Sequence, residues 1–300
     1  MQKIQRAQRP HKDTQKYFLL VCSLIVILLA GCQDDLVPKK LTSEEQAELA
    51  AQDNAQTILA TQEALDVTAG AMEDKGVAEG RVKHGDHDNY GCAPAVNLNI
   101  SIDRNHNDSI VYKGTISVNY GDGSTCDSKN RRTGKITDDF TIVVSTKNKV
   151  RFSMTETLTF EAFTRDSTTY NGVIIVGSAN GKKTTVEGNN VAISYTDGTT
   201  SRWKGILNFA YEDLSKRKGE IRVTGNISGT SRQNVSYTAT ITEEVLFKTG
   251  CFGWIKKIPV DGAMSVSTNG STSTLDFGSG TCDRIYTVNV NGETTQHVFD

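Results

Sequence analysis

The spacing of apolar residues changes twice along the chain. An apolar run from Tyr17 to Leu29 follows a segment carrying Lys3, Arg6, Arg9, Lys12 and Lys16. Beyond it, Ala51, Ile58, Leu65 and Met72 recur every seven residues with Ala55 and Ala69 beside them, which is the narrow stripe of an amphipathic helix. Thr42 and Ser43 stand three residues before Glu45 and Gln46, the spacing of a capping box, and the early acids suit the positive end of a helix dipole. The helix is predicted to run to Met72 or Asp74. From Cys92 onward the period is two. Phe152, Met154, Leu158, Phe160 and Ala162 share one face, opposite Ser153, Thr155, Thr157, Thr159 and Glu161. Ile221, Val223 and Ile227 alternate with Arg222, Thr224 and Ser228, and Val235, Tyr237, Ala239 and Ile241 form a third ladder.

Between the ladders stand Asn171-Gly172, Asn180-Gly181, Asp197-Gly198, Asn269-Gly270 and Asn291-Gly292, pairs that take the positive φ of tight hairpin turns. Short turns join neighbours in antiparallel fashion. The expected fold is therefore mainly β: an antiparallel meander of more than ten strands forming a sandwich or a large curled sheet, preceded by one N-terminal helix. Gln62 interrupts the helical stripe, so the helix is expected to pack on its own domain or serve as a semi-rigid stalk.

The basic N-terminal segment, the apolar run and Leu29-Ala30-Gly31-Cys32 together form a lipoprotein signal with its lipobox. The run is too short to span a bilayer, which takes about 20 apolar residues. Cleavage before Cys32 would leave that thiol acylated and the remainder with 28 basic and 34 acidic residues. A mildly acidic chain without a basic, aromatic-interleaved stripe is not expected to bind nucleic acid. Gln33-Asp34-Asp35 directly after the cysteine resembles a surface-export signal of Bacteroidetes-type lipoproteins, which implies an outer-membrane address facing the cell exterior. The expected layout is signal peptide 1–31, tether 32–41, helical stalk 42–75, linker 76–91 and β body 92–300.

Four cysteines remain in the β body: Cys92, Cys126, Cys251 and Cys282. An even count in an exported chain favours disulfides. The segment Tyr120-Gly121-Asp122-Gly123-Ser124-Thr125-Cys126-Asp127 is echoed by Phe277-Gly278-Ser279-Gly280-Thr281-Cys282-Asp283, and each copy follows an earlier cysteine at a similar interval. The matched intervals argue for the pairs Cys92–Cys126 and Cys251–Cys282 among the three possible connectivities.

Several groupings were weighed for chemistry. His84-Gly85-Asp86-His87-Asp88 offers imidazole and carboxylate ligands to a divalent metal, but in a polar loop nothing fixes their geometry; the oxygens around the echoed turns, such as Asn119 and Asp276, are potential calcium ligands, but neither copy has the spacing of a calcium loop. Asp103 to Asp108 begins like a calcium loop yet lacks its glycine, and is expected to be a hairpin tip. Lys129, Arg131, Arg132 and Lys135 form a small basic cluster expected to be solvated. Trp203, Trp254, Tyr195 and Tyr211 are the aromatics a glycan site would use, with core packing as the alternative. No nucleophile, zinc or phosphate-loop motif is present, so no catalytic residue, metal or cofactor is expected.

The run Tyr120-Gly121 through Cys126-Asp127 and Arg131-Arg132-Thr133-Gly134-Lys135-Ile136, the segments Tyr170-Asn171-Gly172, Trp203 and Ile227-Ser228-Gly229-Thr230, and the closing Phe277 to Asp283 resemble an uncharacterised family of Bacteroidetes surface lipoproteins. The resemblance covers about 92–300 and implies a shared β fold without an activity. The functional expectation is a lipid-anchored binding module for a glycan or protein ligand; the alternative is a structural or assembly component of the envelope.

Overall fold

Thr42 caps a single long helix. Its hydroxyl accepts from the Glu45 backbone N–H at 3.2 Å, and the Glu45 carboxylate accepts from the Thr42 N–H at 2.8 Å, so both halves of the capping box form. The computed structural model describes residues 41–77, 92–106, 108–126, 131–147, 151–165, 167–179, 182–212, 219–248, 251 and 258–299. The lipobox, including Cys32, and Trp254, His84 and His87 lie outside them. The chain divides into Met1–Leu41 and Thr42–Asp300, and the second unit holds the helix together with every strand.

In that unit α1 (Ser43–Asp74) precedes β1 (Ala95–His106), β2 (Ser109–Gly121), β3 (Arg132–Ser145), β4 (Arg151–Arg165), β5 (Thr168–Ser178), β6 (Lys183–Tyr195) and β7 (Thr200–Glu212). There follow β8 (Glu220–Thr230), β9 (Ser236–Lys248), β10 (Pro259–Thr268), β11 (Ser271–Ser279), β12 (Ile285–Val290) and β13 (Glu293–Val298). All thirteen form one sheet in sequence order, each antiparallel to the next. A continuous curled sheet is thus formed. The turns include Asp197-Gly198, Asn269-Gly270 and Asn291-Gly292 as expected, and Asp103 to His106 end β1 where it pairs with the start of β2, at the tip end of that hairpin. Asn171-Gly172 instead lies inside β5, beside a register shift.

The predicted alternation holds where the ladder is regular. Met154, Leu158 and Phe160 are buried, as are Ile221, Val223 and Ile227. Ala162 departs from it: a bulge with φ of 49° at this residue reverses the strand's parity, so Ala162 is exposed while Phe163 and Arg165 turn inward.

The stalk expectation is corrected. α1 lies against β2 and β3 and also against β10 to β12, strands from opposite ends of the sheet, so the sheet curls around the helix. Ala47, Ala50, Ala51, Ala55 and Ala64 are fully buried, and so are Asp53, Asn54 and Thr57 at 1 % exposure or less. Eight alanines among its 32 residues keep the helix slender where it meets the strands. Its hydroxyl and amide side chains bond back to their own helix, Asn54 Nδ2 to Ala50 O at 2.7 Å and Thr61 Oγ1 to Thr57 O at 2.8 Å. These donors keep a partner on burial, while Asn54 Oδ1 and Gln62 Oε1 are buried without one among the described residues.

The cysteines pair as the repeat implied, with sulfurs 1.93 Å apart in both Cys92–Cys126 and Cys251–Cys282. The echo extends to the turns before them. Asn119 Oδ1 accepts from the Gly121 N–H at 2.8 Å, and Asp276 Oδ1 accepts from the Gly278 N–H at 2.7 Å. These oxygens serve the turn itself, which accounts for their recurrence without a cation.

Candidate functional site

The helix is tied to the sheet by three acids spaced along its length. Glu48 accepts from Thr295 Oγ1 at 2.8 Å and lies 3.1 Å from His297 Nε2. Asp53, with no exposed side-chain area, accepts from the Tyr195 hydroxyl at 2.7 Å and from both the side chain and the backbone of Arg232. Glu63 accepts from Arg132 Nε at 2.9 Å and Nη2 at 2.7 Å on one oxygen, and its other oxygen pairs with Arg165. Asp53 and Glu63, the buried acids of the three, thus each have a guanidinium against them, the condition under which charges survive burial.

Burial raises the Asp53 pKa, with Arg232 and the Tyr195 hydroxyl opposing the rise. Burial also works against the Arg232 charge, but Asp53 and then Tyr195 hold the guanidinium pKa above its ordinary value. The Tyr195 pKa is raised by burial first and by the neighbouring Asp53 second, so Tyr195 remains a phenol that donates to the carboxylate. The Arg232 guanidinium lies 4.0 Å over the Tyr195 ring, which fixes its plane from one side.

Beside this network lies a cavity of about 250 Å³. Gln52, Gln56 and Leu59, at the i, i+4, i+7 spacing of one helix face, form its helical wall. The β4–β5 corner contributes Arg165, Ser167 and Thr168, followed by Tyr170 on β5. Tyr195 at the end of β6, Arg232 in the turn before β9, and Tyr286, His297 and Val298 from the last two strands close it. Its cations are therefore held in place from behind by acids of α1 that do not line it. Such a site can present fixed donors to a ligand while excluding much of the solvent.

The sequence candidates are distributed unevenly around this cavity. Tyr195 lines it. Trp203 is buried at 3 % exposure and edges a more open cleft of about 550 Å³ with Asn189, Arg202, Lys204 and Tyr237. Tyr211 is half-buried and packs against the core. The basic cluster does not act as a unit. Arg131 donates to the Asp122 carbonyl at 2.9 Å, Lys135 pairs with Glu161 at 2.8 Å, and Arg132 is buried against Glu63 rather than solvated. Sequence reasoning missed Gln52, Gln56, Arg165 and Arg232. The available signal was the presence of Asp53 and Glu63 within a helix otherwise rich in small and apolar residues, since a buried acid demands a distant cation.

Among the described residues, no helix is long and apolar enough to cross a membrane, and no cluster of three or more His, Cys, Asp or Glu has metal-site geometry. No protein-family model, curated protein or solved structure matches the chain.

Proposed function

We propose that this chain is a lipid-anchored outer-membrane protein, facing the cell exterior, that acts as a binding module and seats a small polar ligand in the cavity beside α1. The address rests on the basic segment, the apolar run and the lipobox ending at Cys32, followed by Asp34 and Asp35. The observation that carries the binding role is the cavity lined by Arg165, Arg232 and His297, each oriented by a helix acid on its far side. Side chains held in one geometry before the ligand arrives lose little freedom on binding, and binding sites benefit from that preorganisation.

Two experiments test the proposal. Metabolic labelling with palmitate should mark the wild-type chain and not C32S, and protease added to intact cells should digest the labelled protein. A thermal-shift screen of purified protein against small polar metabolites and sugars should yield ligands whose effect is lost in Q56L. Hits indifferent to Q56L would place binding elsewhere.

The envelope-assembly reading draws on a different observation. Ile175 and Ile206 flank Glu187 across β5, β6 and β7, and with Val173 they are 39 to 49 % exposed. Crosslinking in intact cells through a photoreactive residue at position 206 would recover a partner under this reading and only monomer under the first.

A further inference from the structure

Taking the cavity as the ligand seat, and so resting on the proposal above, we infer that its ligand is a small sugar acid, a carboxylate carried on a hydroxylated ring. The carboxylate would lie at Arg232 and the hydroxyls at Gln52 and Gln56. The first argument is the sign of charge. Apart from tyrosines, every ionisable group among the described residues lining the cavity is basic, namely Arg165, Arg232 and His297, while Asp53, Glu63 and Glu48 meet them from outside the lining. A cationic ligand would face two guanidiniums with no acid to receive it. An anion finds donors and no opposing charge among the described lining residues.

The second argument is the geometry of Arg232. Its Nε and Nη2 are directed at Asp53 Oδ1, each at 2.7 Å, which leaves Nη1 as the guanidinium nitrogen not engaged with that carboxylate. Asp53 on one edge and the Tyr195 ring on one face hold the group still. A guanidinium fixed in this way binds a planar carboxylate with little loss of side-chain freedom.

The third argument concerns the helical wall. The Gln52 and Gln56 amides stand one turn apart, half-buried, and neither has a hydrogen-bond partner among the described residues. An amide both donates and accepts, which matches a hydroxyl, itself donor and acceptor. The volume of about 250 Å³ lies below the usual range for drug-sized ligands and suits a single ring.

Isothermal titration of the full-length chain with D-galacturonate, D-galactose and inorganic phosphate separates the outcomes. Galacturonate is expected to bind roughly tenfold or more tightly than galactose, because a hydrogen bond to a charged group exceeds one to a neutral group. Q52A/Q56A is expected to weaken galacturonate by roughly tenfold, the loss of two neutral hydrogen bonds. D53N/R232Q removes the buried acid together with the cation and is expected to erase the preference over galactose. If that variant fails to fold, the wild-type preference and the helix-compatible Q52A/Q56A still decide. Equal affinity for both sugars, weakened alike by Q52A/Q56A, would overturn the acid class and leave the cavity as a ligand seat. Phosphate binding as tightly as galacturonate and competing with it would overturn the sugar acid in favour of an inorganic oxyanion. No binding of any of the three at millimolar concentration would overturn both the ligand class and the seat.

Discussion

Asp53 and Arg232, 179 residues apart, are joined through both side chain and backbone: the fully buried carboxylate takes Arg232 Nε on one oxygen and the Arg232 N–H, at 2.8 Å, on the other. This tie fixes the middle of α1 to the turn before β9. D53A leaves a guanidinium that is only 18 % exposed without its acid, and is expected to lower unfolding stability by about 3 kcal/mol. D53N/R232Q should recover at least half of that loss, because neither variant residue carries charge. Urea unfolding of the three proteins decides the matter, and equal losses in both variants would contradict it.

A helix enclosed by a sheet exchanges its amide protons only when the sheet opens. Amides of Ala50 to Met72 are expected among the slowest in the protein by hydrogen exchange, since this stretch is buried on most sides. A solvated stalk of the same length would exchange them orders of magnitude faster.

Gly188 leaves room for an aromatic ring. A Cβ built there would lie 2.1 Å from the Trp203 ring, and Trp203 is itself buried in the wall. G188A is expected to cost about 1 to 3 kcal/mol by overpacking and to change the near-UV circular dichroism signal of the tryptophan. The double variant G188A/W203F should regain part of the loss. An unaltered melting temperature for G188A would show that the ring has space to move.

Acid should weaken the fold through exposed carboxylates. Glu44 is held below its ordinary pKa by backbone N–H bonding at the helix start, Asp122 by the Ser124 N–H, and Asp197 by the Thr199 hydroxyl. With folded pKa values depressed, the unfolded chain takes up protons first, so their contribution is present above the ordinary carboxylate range and lost as pH falls through it. Asp53, raised by burial, has the opposite sign: its preference for the proton favours the folded state at low pH and fades as pH rises through its folded value. The urea midpoint is therefore expected to fall below about pH 4, and E44Q/D197N should flatten that fall while D53N/R232Q steepens it.

Much of the fold was legible because its signals are local. The capping box at Thr42 and Glu45 formed as spaced, the turn at Asn291-Gly292 formed as composed, and the parity of β8 and β9 followed the alternation of Ile221, Val223, Tyr237 and Ala239. Two failures are local, the bulge at Ala162 and Asn171-Gly172 lying within β5; the others are long-range. The periodic stripe of α1 marked one face, yet the opposite face is buried too. Its buried acids Asp53 and Glu63 meet Arg132, Arg165 and Arg232, 69 to 179 residues away, and hydroxyls such as that of Thr61 bond within their own helix, and no spacing rule reports either. Arg132 shows the same limit in reverse, since its basic neighbours suggested solvent while its partner Glu63 lay on another element. The cavity was harder still. Of its lining, Tyr195 is marked by its aromatic ring and Tyr170 by the Tyr170-Asn171-Gly172 segment, but glutamines on a helix and arginines at strand ends are ordinary surface residues until a fold brings them together.

The helix that fills the sheet is the first of these elements in the chain, and some of its partners are the last. Glu48 meets Thr295 and His297, 247 and 249 residues downstream, and Ala47 receives the Ser273 hydroxyl from β11. A chain emerging from its N-terminus carries the Glu48 end of α1 without those partners until β13 has emerged. The interior can then close only as a late event, and such distant contacts make for slow folding. Truncation of the final hairpin would therefore strand Glu48 while leaving Asp53 and Glu63 their partners, so the C-terminal strands secure the first turns of the helix rather than its middle.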